Sequence, residues 1–149
     1  MNKLPPELIA IDPDDYAARR VGHAADGRQF FLTTPFLPAV NGGAGREFLA
    51  LPLFDRTGKL LEARIEDLGP RANLDEVHAR GRVEQLLATL GPVKRRRIWI
   101  APFRVERFGT AFGLVAQAPE ESRDEWLVTL EPGNYVAFFP PWSSGEYDT

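Results

Sequence analysis

Apolar and polar positions alternate most regularly over residues 59–67, where Leu61, Ala63 and Ile65 interleave with Glu62, Arg64 and Glu66. A period of two puts one strand face in a core and the other in water. Residues 48–54 precede it, and Asp55-Arg56-Thr57-Gly58 lies between. Together they predict a hairpin in which Asp55 opens the turn and Gly58 takes a positive φ. Downstream the period changes to 3.6: Leu74, Val77, Gly81, Val83, Leu86, Leu87 and Leu90 form one stripe and predict the main helix. Asn73 with Glu76 reads as its capping pair, and Gly91 followed by Pro92 as its stop. Gly81 interrupts the stripe at a cost of about 1 kcal/mol relative to alanine, which a close approach of helix to sheet would explain.

Shorter apolar runs flank this centre. Residues 22–27 read as a turn feeding a strand at 28–34, and Pro35 and Pro38 end that strand early or set it at an edge. Residues 41–45 read as a flexible connection. A second hairpin is expected from 98–105 and 111–118 around Glu106-Arg107-Phe108-Gly109, then strands at 125–130 and 135–139 separated by Pro132-Gly133-Asn134. Residues 1–18, rich in proline and aspartate, read as an N-terminal arm with at most one helical turn after Asp14. Strands on both sides of one helix predict a single α+β domain over 1–149: a bent, mainly antiparallel sheet with the helix packed on one face.

Composition narrows the chemistry. A net charge of -3 offers no general attraction to nucleic acid, so binding there would need a local patch. With no cysteine, disulfides, thiolate metal sites and cysteine nucleophiles are excluded. The first residues lack a long apolar run after a basic start, and no stretch approaches the ~20 apolar residues of a membrane span. A cytoplasmic protein is the expectation.

No set of side chains completes a catalytic constellation. The two histidines are His23, near Asp26 in the expected turn, and His78, flanked by Asp75 and Arg82 at helical spacing. His78 reads as part of a surface ion-pair ladder. His23 with Asp26 as its orienter is the one acid–base pair worth testing. Ser122, Ser143 and Ser144 lie outside any G-x-S-x-G elbow, and the 41–45 segment lacks the Lys-Ser or Lys-Thr of a phosphate loop. Neither a metal nor a cofactor is called for, and no catalysis of its own.

Two compact surfaces could bind instead. Lys94-Arg95-Arg96-Arg97 is the one concentrated basic run; Arg95, Arg96 and Arg97 suit an acidic protein partner, or simply favour the preceding helix C-terminus. The last fifteen residues carry five aromatic rings, among them Trp142 and Tyr147, which flank Ser143-Ser144-Gly145. Rings bury much apolar area at little rotamer cost. This tail therefore either closes the core or offers Trp142, Tyr147, Glu146 and Asp148 to a partner. An alternative is a small-molecule pocket, or an unrecognised hydrolase site, between sheet and tail with His23 and Asp26 at its mouth. Homodimerisation through an open strand edge is a further possibility.

Three islands carry a family resemblance: V-G-H-A-A-D-G-R-Q-F-F at 21–31, F-G-L-V at 112–115, and the end of the chain with P-P-W and then G-E-Y-D-T. Phe54-Asp55 with Gly58 falls in the same order between them. The chain resembles the bacterial proteins labelled formate hydrogenlyase regulatory protein-like. That resemblance implies a cytoplasmic regulator acting by protein contact, restraining a transcriptional activator of formate metabolism. It implies no catalytic residue.

Overall fold

The computed structural model describes residues 4–38, 45–133 and 135–149. In chain order it runs β1 (Ile9–Ile11), β2 (Arg20–Ala24), β3 (Gln29–Leu32), β4 (Phe36–Leu37), β5 (Arg46–Phe54) and β6 (Leu60–Pro70). The helix α1 (Glu76–Ala88) follows, then β7 (Val93–Arg95), β8 (Ile98–Ile100), β9 (Phe103–Arg107), β10 (Thr110–Gln117), β11 (Leu127–Glu131) and β12 (Ala137–Phe138). Strand content dominates, and the strand pairs are antiparallel. The connection expected at 41–45 falls, but for Gly45, outside the described residues, as does Asn134 of the expected turn.

The α+β reading holds, but the single bent sheet is replaced by three sheets. A six-stranded sheet runs β4-β5-β3-β2-β7 with β6 along β5; β9 to β12 form a four-stranded sheet; β1 pairs with β8 alone. Pro102 explains the division. It has no N–H to donate, and it falls inside the expected strand 98–105. The chain breaks there into β8, which turns to β1, and β9, which begins the next sheet.

β5 shows why the middle layer is central. From Phe48 to Phe54 every residue is buried, the mark of a strand covered on both faces. Leu49, Leu51 and Leu53 join Phe30, Leu32, Val83 and Leu86 beneath the helix. Phe54 joins Val21, Phe31, Leu114, Val128 and Phe138 on the opposite side. Ile9 and Ile11 lie in that second core at 1% and 0% exposure, so the arm read at 1–18 contains a core strand. Three residues buried all round have no period to betray them.

The helix departs from expectation at its start. Its N-cap is Asp75, whose carboxylate accepts the His78 N–H at 3.0 Å, and not Asn73. Only its C-terminal half meets the sheet: Val83 and Leu86 are buried, whereas Val77 is 74% exposed. A Cβ at Gly81 would meet nothing within 4 Å, so that glycine marks no close approach. Nor does the ion-pair ladder form around His78. Arg82 reaches β6 instead, pairing with Glu66 at 2.8 and 2.5 Å, which lowers the Glu66 pKa.

The β9–β10 hairpin turns on Phe108 and Gly109, with φ of 55° and 70°; two consecutive positive φ values match the twist of the flanking strands. Gln29, 3% exposed, ties the layers together. Its amide donates to the Asp55 and Trp99 carbonyls at 3.1 and 2.9 Å and accepts the Trp99 N–H at 2.7 Å. Among the described residues no helix is long and apolar enough to cross a membrane.

Candidate binding cleft

The aromatic tail folds back into the molecule. Ala10 N–H donates to the Trp142 carbonyl at 2.9 Å and Asp12 N–H to the Gly145 carbonyl at 3.0 Å. Ala137 and Asp148 exchange both backbone bonds, at 2.9 and 2.8 Å. Trp142 and Tyr147 are half-buried against the second core, Tyr147 lying 5.9 Å from the Phe138 ring. The Tyr147 hydroxyl donates to the Asp14 carboxylate and accepts the Ala17 N–H at 2.9 Å. Burial alone would raise the Asp14 pKa; hydrogen bonds from Tyr147, Tyr16 and Ala18 outweigh it and hold that carboxyl low. Glu146 and Asp148 keep exposed side chains with no ion pair among the described residues.

The basic run is divided among three tasks. Arg97 clips the tail down: its guanidinium takes both Asp12 oxygens at 2.6 and 3.0 Å and donates to the Ser143 and Ser144 carbonyls at 3.1 and 3.4 Å. The Asp12 carboxyl is held low by that bond. Arg95 donates to the Arg19 carbonyl at 2.9 Å and to the Asp14 carbonyl. Arg96 is exposed, and its side chain makes no hydrogen bond among the described residues. The three arginines do not converge on one surface.

Nor do His23 and Asp26 form a pair. Residues 20–24 are strand β2, not turn, so His23 sits in register with Gln29 and its Nε2 is 2.8 Å from the Arg97 carbonyl. Asp26 binds Arg28 through its side chain at 2.8 Å and its N–H at 3.0 Å, which lowers the Asp26 pKa. A strand pleat and a competing arginine separate the two groups. Neither lines the cleft described next or the one beside the tail.

The structure instead opens a cleft of about 440 Å³ between the end of the large sheet where β2 begins and β3 runs on to β4, and the segment after β11. Leu32, Pro35, Leu130, Pro132 and Val136 supply its apolar lining. Among the described residues its charged lining is three arginines, Arg19, Arg20 and Arg71, against one carboxylate, Glu47. On a chain of net charge -3 this is a local reversal of sign. Arg71 lies over the Phe36 ring at 4.3 Å, and Phe36 stacks on Tyr135 at 5.2 Å with 12° between planes. This three-layer stack bridges the two sheets. Gly133 permits it: φ is 95°, and a Cβ there would lie 2.7 Å from the Tyr135 ring.

Glu47 and Arg71 pair at 3.0 Å through one carboxylate oxygen. Burial nevertheless raises the Glu47 pKa, the Arg71 charge and hydrogen bond opposing it only in part. Over the window opening at the ordinary carboxylate range, the folded chain holds a proton that the unfolded chain has released, so this group's contribution to stability falls as pH rises. Glu47→Gln keeps the acceptor for Arg71 and removes that dependence. The variant's melting temperature relative to wild type should be more favourable at about pH 7 than at about pH 4. Thermal denaturation at the two pH values checks this, and an unchanged difference would refute it.

None of Arg19, Arg20, Glu47 and Arg71 stood out in the sequence. Glu47 and Arg71 are brought together across the β5–β6 hairpin, and Tyr135 arrives from the far end of the chain. Only the Arg19-Arg20 doublet ahead of an apolar strand offered a local signal. No known family model, curated protein or solved structure matches the chain.

Proposed function

We propose that the protein is a non-catalytic interaction module, of the cytoplasmic regulatory kind its resemblance implies, that holds a protein partner through this cleft. The observation that carries the reading is the cleft's local charge reversal over an apolar lining, with the Arg20 side chain unpaired among the described residues. The tail supports it indirectly: Trp142 and Tyr147 are spent on packing, which leaves the cleft the better contact surface. The hydrolase alternative loses its residues, since His23 and Asp26 are each bonded elsewhere.

A pull-down from host lysate tests the reading with three folded baits: wild type, an Arg20→Glu, Tyr135→Ala double variant, and Arg96→Glu. One protein retained by wild type and Arg96→Glu but lost by the cleft variant is the expected result. Loss through Arg96→Glu alone, or equal retention by all three, would move the contact surface away from the cleft.

A further inference from the structure

The cleft has two chemically different ends. Arg20 lies opposite Leu32, and Glu47 lies opposite Phe36. Along the β3–β4 direction the two charges are therefore offset by four chain positions, about 13 Å at ~3.3 Å per residue of extended backbone, and they stand on the strands to either side of it. At the Arg20 end, Arg19 spends its Nε on the Asp15 carbonyl at 2.9 Å, and Arg95 borders the same surface. Asp15 is 3.8 Å from Arg95 with its side chain fully in water, and the Asp14 carboxylate is taken by Tyr147. Among the described residues the Arg20 guanidinium has no protein partner, and Arg19 beside it is bonded only through Nε, so Arg20 is the group we assign to a ligand.

The other end asks for the opposite chemistry. One Glu47 oxygen accepts from Arg71, and the second takes no donor from the described residues. Its side chain is 15% exposed. A second carboxylate there would repel one that burial already disfavours in its charged form, whereas an N–H or ammonium donor would be bound.

We infer that the cleft reads an extended peptide segment of the partner, carrying an acidic side chain for Arg20 and, four residues along, a cationic or hydrogen-bond-donating side chain for Glu47. Alternate side chains of an extended segment point the same way, so residues four apart face one surface. Apolar residues between them meet the lining contributed by Leu130, Pro132 and Val136. The charge pair sets the segment's identity and the apolar middle its affinity. This inference rests on the cleft being the binding surface.

The test uses blocked pentapeptides with a valine-alanine-valine middle: aspartate first and lysine last, aspartate at both ends, and lysine at both ends. Binding is followed by backbone amide shifts of the full chain. The aspartate–lysine peptide should perturb Arg20, Thr33 and Tyr135 and bind about tenfold tighter than either like-charged peptide. Arg20→Gln should weaken it about tenfold, and Glu47→Gln should remove the preference over the doubly acidic peptide. Equal affinity for the three peptides, or no binding at about 1 mM, would overturn the inference. If the Arg20→Glu, Tyr135→Ala bait still loses its partner in that case, the cleft stands and only the segment's chemistry falls.

Discussion

Gly22→Ala is expected to be among the most damaging small substitutions in the molecule. A Cβ on Gly22 would stand 2.0 Å from the Lys94 carbonyl oxygen and 2.9 Å from its carbon. Both are backbone atoms of the neighbouring strand β7, so no side chain can rotate away. The two strands must separate or β2 must shift. Overpacking of this kind costs about 3 kcal/mol or more when the backbone itself is the obstacle. For a chain of this length that is a fall in melting temperature of roughly 6–12 °C. The damage should spread, because β7 leads directly into Arg97 and its bonds to Asp12 and the tail. Faster hydrogen exchange at the Ala10 and Asp12 amides, which bond to the tail, would report that spread. A melting temperature within about 2 °C of wild type would show that β7 peels away freely.

Phe138→Ala should be the costliest single change in the C-terminal segment. Phe138 is 1% exposed, pairs across from Val128, and has the Tyr147 ring beside it. Removing a buried phenyl group loses its transfer free energy and leaves a cavity, together about 3–5 kcal/mol. Trp142 is only half-buried, so Trp142→Ala should cost less despite the larger ring. The comparison separates packing from contact. If Trp142→Ala equals or exceeds Phe138→Ala in chemical denaturation, the tail is held by tryptophan and Phe138 is not its main anchor.

Local patterns were legible where neighbours in sequence are neighbours in space. The 48–67 hairpin was readable because one strand alternates, the other is continuously apolar, and Asp55 and Gly58 mark a turn whose N–H groups the Asp55 side chain accepts. The helix was readable as an element but not at its start, since Asn73 and Asp75 are both good caps and only the fold selects Asp75. Its stripe also over-counted the core. Helical periodicity reports which residues share a face, not how much of that face is covered.

The partition into three sheets and the cleft lie beyond such patterns. Ile9 pairs with Ile100, and nothing near either residue announces the other. The basic run read as one patch comes apart because β7 ends at Arg95 and the side chains beyond it meet different partners. Arg97 turns inward to Asp12, Arg95 toward the arm, and Arg96 to solvent.

The sequence by itself determined the class of structure, the central hairpin, the single main helix and the absence of thiol chemistry, since period, turn residues and composition are local or summed properties. Tertiary structure alone decided that the aromatic tail closes the core and that arginines and a glutamate from distant segments share one cleft. Those outcomes depend on which apolar surfaces bury one another, and burial is a property of pairs of segments that no single segment carries.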